Sequence, residues 1–99
     1  ENWELSRVAQ FKAEDMQDKG YFDHNSPTYG SPFKMMSDFG IKYGYAGENI
    51  AKGQRSPEEV MTAWMNSQGH RENILSPNFK HIGVGYDARG KEWVQQFTD

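Results

Sequence analysis

The sequence predicts an α+β domain, with helices first and strands late, on three observations. Leu5, Val8, Ala9, Ala13 and Met16 recur at three- and four-residue steps from Asn2 to about Lys19, the spacing of one helix face. Ser56-Pro57-Glu58-Glu59 is a helix start: a Ser cap, Pro at the first position, and Glu59 three residues after the cap to close a capping box. The end of the chain, "HIGVGYDARGKEWVQQF", alternates on both sides of "DARGK", the pattern of a β-hairpin. A hairpin following helices implies a small antiparallel sheet with helices packed on it.

Taken in order, the first helix is amphipathic and Gly20 stops it. Residues 21–31, "YFDHNSPTYGS", are dense in Asp, Asn, Ser, Pro and Gly, which set unusual backbone angles or bond their own backbone; this is an irregular loop carrying His24. Ser31 caps a short helix with Pro32 at its first position, running to Gly40. "IKYGYAGENIAKG" is punctuated by glycine and expected to be extended, with Glu48 in it. The helix "PEEVMTAWMNSQ" is expected to place Val60, Met61 and Trp64, with Ser67, on one face and to end at Gly69, leaving His70 just beyond its C-terminus. "HRENIL" offers one more turn before Pro77. Gly83 and Gly85 are read as permitting close packing across their strand, and His81 as a rim position.

A chain of 99 residues makes one small domain, 1–99, because at this size only about 60 to 70% of the unfolded surface is buried. An aromatic content of 14% supplies core material and excludes a disordered chain. The net charge of −3 and the scattering of the 11 basic residues give no electrostatic footprint for nucleic acid. Apolar runs reach only a few residues, far short of the roughly 20 that span a bilayer, so no transmembrane segment is expected. Cysteine is absent, so any chemistry must use His, carboxylates or hydroxyls.

Three groups are candidates for a site: His24, Glu48 and His70, which stand 24, 22 and 46 positions apart in pairs and share no local motif. Each has an ordinary structural role open to it. An imidazolium at a helix C-terminus is favoured by the macrodipole by about 0.3 to 1 kcal/mol, His24 can serve its turn, and Glu48 can satisfy donors of a glycine-rich segment. Together, two neutral imidazoles and a carboxylate make a sound divalent-metal set with a fourth position for water, which such a metal acidifies. Without metal, Glu48 can work through a histidine in proton transfer. Ser67 and His70 can meet at a spacing of three, but a Ser/His dyad needs an orienting acid and an oxyanion hole that the sequence does not display. Phe33, Met35, Met36, Phe39, Trp64 and Trp93 read as core, with a hydrophobic groove for lipid as the alternative.

The order "YFDHNSP", "GYAGENIA", "AWMNSQGHRENIL", "FKHIGVGY", "EWVQQF" resembles the CAP superfamily of cysteine-rich secretory, antigen 5 and pathogenesis-related proteins, in its cysteine-free bacterial branch. The resemblance covers nearly the whole chain. It implies an α-β-α sandwich and a cleft lined by a His/Glu/Glu/His tetrad, in which His24, Glu48 and His70 take three places. The second glutamate of animal and plant members falls three residues after the helix Trp, where this chain has Ser67. Relatives usually open with a further helix upstream of Asn2, so one flank of the sheet is expected to be less covered. They are typically secreted or attached to the cell wall.

The family is linked to several activities, and fold does not decide among them. The residues favour a binding module over an enzyme, since two histidines converge on one acid with no nucleophile nearby, and the resemblance implies that the module is extracellular and bacterial. Its cleft takes a divalent cation, with zinc foremost, or a small ligand, through His24 and His70, with Glu48 as a further ligand or as a hydrogen-bond partner behind one, and Ser67 beside them. The rivals are a metal-dependent hydrolase acting on peptide or cell-wall material with Glu48 as catalytic base, and lipid or sterol binding in the groove.

Overall fold

The computed structural model describes residues 2–99. Helix α1 (Trp3–Lys19) begins where the Asn2 side chain accepts a hydrogen bond from the Leu5 amide, 3.0 Å, and ends at Gly20 in the left-handed conformation. Helix α2 (Pro32–Asp38) is capped by Ser31 and starts on proline, as expected. Three seven-residue strands, β1 (Ala46–Lys52), β2 (His81–Asp87) and β3 (Glu92–Thr98), form one antiparallel sheet in the order β1-β3-β2. The hairpin expected around "DARGK" is therefore β2 and β3, with β1 added on the far side of β3.

The sheet is sandwiched, and register shows why. Side chains alternate between the two faces of a strand. The register partners Ile50 and Val94 pack with Ala9, Ala13 and Met16 of α1. The next pair along, Ala51 and Trp93, packs with Val60 and Trp64 on the other face. A third cluster joins Leu5 and Val8 of α1 to Met35 and Met36 of α2. Met35, Met36, Trp64 and Trp93 are thus core, as expected, while Phe39 packs at its margin and Phe33 remains 45% exposed. These six do not line one groove.

The segment after Ser56 differs from expectation. Helix α3 stops at Met65 (Pro57–Met65), and a separate helix α4 (Gln68–Leu75) follows. Ser67 is the N-cap residue of α4, and Gly69 and His70 lie in its first turn instead of after the last turn of α3. The apolar spacing that marks α3 ends with Trp64, and the polar run "NSQGHREN" offers no second face to detect. A favourable helix C-terminus for His70 is therefore not what the chain builds.

Gly83 and Gly85 seat α1 on the sheet. A Cβ at Gly83 would stand 2.3 Å from the Leu5 carbonyl carbon, and one at Gly85 2.4 Å from that of Ala9, so only hydrogen lets the helix backbone come this close. α1 also closes the outer edge of β2: Ser6 Oγ accepts from the Val84 amide at 3.0 Å, while Gln10 accepts from the Tyr86 amide and donates to the Tyr86 carbonyl. An edge that would otherwise invite another strand is thereby paired.

Gly83→Ala or Gly85→Ala should cost at least about 1 to 3 kcal/mol, the range for overpacking, because the atoms in the way are backbone and cannot swing aside. Gly69→Ala, with open space around its Cβ position and a helical backbone, should instead be neutral or stabilising by about 0.4 to 1 kcal/mol. Urea midpoints of the three variants check both expectations.

Candidate functional site

The first turn of the loop after α1 carries His24, and two buried side chains of α1 hold it. Lys12, only 1% exposed, donates from Nζ to the His24 carbonyl at 2.6 Å and lies 5.0 Å from the centre of the Tyr21 ring. Asp15 accepts from the Tyr21 and Ser26 hydroxyls, each at 2.5 Å, and from the Thr28 hydroxyl at 3.0 Å. Burial works to raise the Asp15 carboxyl, but these three hydrogen bonds and the Lys12 charge outweigh it and hold the group below its usual range. Burial lowers Lys12, against the opposing pull of Glu48, Asp15 and Asp23.

So anchored, His24 meets Glu48. The His24 Nδ1 lies 2.8 Å from Glu48 Oε1, and Gln96 Nε2 donates to Glu48 Oε2 at 2.8 Å. Gln96 is the register partner of Glu48 on β3, so the strand pairing itself delivers the second hydrogen bond. The Glu48 side chain is 1% exposed, whereas that of His24 is 50% exposed. The hydrogen bond and charge of Glu48 raise His24 above the ordinary imidazole value, against burial and the Lys12 charge. Glu48 therefore holds His24 toward its charged form.

His70 stands on the other layer. Its carbonyl accepts from Asn49 Nδ2 at 3.1 Å, and Asn49 points to the face opposite Glu48, where Asn73 and Gln95 also bond it. The ring Nδ1 is 2.9 Å from Ser67 Oγ, so the Ser67 hydroxyl serves the ring instead of capping the α4 backbone. Burial, then the charge of His24, lower His70 below its ordinary value. The structure brings His24 to Glu48 and Ser67 to His70; the two pairs are linked by the charge of His24 on His70 and, through backbone carbonyls, by Asn73 and Asn49.

Among the described residues, no three His, Asp or Glu groups stand together in a way that would hold a metal. The three-group metal set expected of His24, Glu48 and His70 is thus not assembled: strand alternation sends Glu48 toward α1, and His70 rides on α4. A hollow of about 360 Å³ opens at the free edge of β1, with Ala46, Gly47 and Glu48 along its floor, His24 and Phe33 on one side and Asn73 on the other. His70 is not among its lining residues. Reasoning from the sequence does not single out Lys12, Asp15, Asn49, Asn73 or Gln96. A signal exists for Lys12 alone, which falls among the apolar positions of α1.

A family model for the cysteine-rich secretory protein family matches residues 2–97. The chain belongs to that family. Two curated relatives from Bacillus subtilis strain 168 are similar to it: the uncharacterized protein YkwD, 69% identical over 94% of this chain and 36% of its own length, and the uncharacterized membrane protein YlbC, 36% identical over 93% of this chain and 26% of its own. The chain thus spans about a third or less of these relatives. An extracellular protein of Bacillus anthracis that contains an SCP domain superposes with a TM-score of 0.93 at 34% identity, over 98% of this chain and 32% of that one. An outer surface protein of Borrelia burgdorferi shares the fold, with a TM-score of 0.84 at 20% identity, over 97% of this chain and 73% of that one. No helix among the described residues is long and apolar enough to cross a membrane.

The ion pair makes a signed forecast. In a histidine-resolved NMR titration, Glu48→Gln should lower the His24 midpoint and Lys12→Met should raise it, since the two groups act on the ring with opposite sign. Linkage gives a stability counterpart. A raised folded-state value means the contribution of His24 is fully present below about pH 6.5 and is lost as pH rises through the raised value. The stability difference between wild type and His24→Ala should therefore shrink from pH 6 to pH 8.5; of the His70 shift, which has the opposite sign, only the part due to burial cancels in that difference, since the part due to the His24 charge is lost with the ring.

Proposed function

We propose that this domain is an extracellular binding module whose cleft receives a carboxylate or carbonyl of a small ligand on His24. The carrying observation is the His24–Glu48–Gln96 chain. Each oxygen of the buried Glu48 carboxylate already accepts a hydrogen bond, so Glu48 is placed to orient and charge His24, not to take a proton from water. The half-exposed His24 ring retains Nε2 as a donor, and a charged donor gives the stronger hydrogen bond. Export is proposed because relatives of this fold are described as an extracellular protein and an outer surface protein.

A second reading has one observation in its favour. Nδ1 of His24 and Nδ1 of His70 are both engaged within the protein, which leaves both Nε2 atoms for zinc, with Glu48 bonded to the far side of the His24 ring. Zinc requires neutral rings. His70 is lowered and therefore ready, while His24 must give up the proton that Glu48 favours.

The two readings predict opposite pH responses. Calorimetric titration with muramyl dipeptide, a wall fragment bearing amides and a carboxylate, should show affinity rising as pH falls from 8.5 to 6, with loss in His24→Ala. Removing one charge-assisted hydrogen bond of about 1.5 to 3 kcal/mol should weaken binding roughly 10- to 100-fold. Zinc titrated over the same range should instead bind more weakly as pH falls. Tight zinc binding at pH 7.5 that His24→Ala with His70→Ala abolishes, with no response to the wall fragment, would replace the first reading by the second.

A further inference from the structure

The pairing of β1 leaves part of its outer edge open inside the hollow. The Gly53 amide bonds the Lys91 carbonyl at 2.9 Å, and the Asp99 amide bonds the Tyr45 carbonyl at 3.2 Å, so odd-numbered residues of this stretch turn their backbone groups toward β3. Ala46, Glu48 and Ile50 must then turn theirs outward. Two outward carbonyls are taken: that of Ile50 accepts from Trp64 Nε1 at 3.2 Å, and that of Glu48 from Asn73 Nδ2 at 3.3 Å. Among the described residues, no protein group pairs with the Ala46 amide, the Ala46 carbonyl or the Glu48 amide. These three groups belong to residues that floor the hollow beside His24.

We infer that the Ala46–Glu48 edge is a strand-addition site for an extended peptide, an inference that rests on the binding-cleft reading above. A donor, an acceptor and a second donor on alternate residues of one strand edge match the backbone of an extended chain, whereas a sugar ring or a lipid tail has no such alternation. Asn73 already places a side-chain amide on the Glu48 carbonyl, as an added strand would. The open stretch from Ala46 to Glu48 is about 7 Å long and suits about three ligand residues. Beyond it Asn73 and Trp64 cover the edge, so a long flat strand of a second copy does not fit where a short peptide does. Half-exposed His24 flanks the site and favours an acidic side chain in that peptide.

The test is an NMR titration of the isotope-labelled chain with an acetylated, amidated pentapeptide, Ala-Ala-Asp-Ala-Ala, and two N-methylated forms. One form is methylated on the amides of its second and fourth residues, the other on that of its third. Because alternate ligand amides face β1, and the Asp on His24 fixes the register, one methylation pattern should weaken binding about tenfold or more and the other should leave it nearly unchanged. The Ala46 and Glu48 amide signals should move with the unmethylated peptide and gain protection from hydrogen exchange. Equal binding of all three peptides with movement of the His24 ring signals would overturn strand addition and leave the cleft reading standing. Movement of neither set would overturn the inference, and muramyl dipeptide then decides the cleft reading separately. A shift to dimer on size-exclusion chromatography with protected Ala46 and Glu48 amides would put a second copy in place of the peptide, and likewise overturn it.

Discussion

The seating of α1 on β2 is the contact on which the rest of the molecule depends. Two glycines without side chains let the helix backbone press against the strand, and Ser6 and Gln10 then close the strand's outer edge. That placement fixes the axial position and rotation of α1. Lys12 and Asp15 lie on the same helix, so the groups that hold the His24 loop are located by a contact on another part of the sheet. A shift of α1 along β2 would carry Lys12 with it and draw His24 off Glu48. The site is thus set by helix packing, even though its reactive residues come from a loop and a strand.

A buried Lys-Asp pair is a demanding way to fasten a loop, since each charge must find partners or cost several kcal/mol. Here the partners are numerous. Asp15 takes three hydroxyls from the loop, and Lys12 takes the backbone of the very residue that must be aimed. An apolar helix face would bury the loop just as well but would not specify which carbonyl sits where. The polar anchors therefore give position where hydrophobic contact gives only proximity.

Legibility in the sequence follows the range of the interactions. α1, α2 and the start of α3 are written in local signals, the apolar spacing of α1 and the Ser31 and Ser56 caps with the prolines after them, and the helices form where those signals lie, although the Asn2 cap of α1 is seen only in the structure. Gly83 and Gly85 can be read as a close approach, though not as an approach by α1. The break between α3 and α4 cannot be read, because "NSQGHREN" has no apolar rhythm and Ser67 commits its hydroxyl to the His70 ring instead of to a backbone cap. At the site, the residue types are visible and their sharing is not. Gln96 reaches Glu48 through strand register, and Asn49 divides from Glu48 through strand alternation; both are decided by pairing between segments far apart in the chain.

The two histidines show why residue identity alone misleads about such a cleft. His24 is half-exposed and His70 partly buried, and a carboxylate touches the first while a hydroxyl touches the second. The first is pulled toward its charged form, and the second is pushed toward neutrality by burial and by the charge of the first. The difference comes from one feature, the side of β1 to which each neighbour belongs. Glu48 faces α1 and so serves the His24 loop, while Asn49, one residue on, faces α4 and takes the His70 backbone. Two imidazoles of one small domain are thus shifted in opposite directions by neighbours that strand alternation assigns to opposite faces of β1.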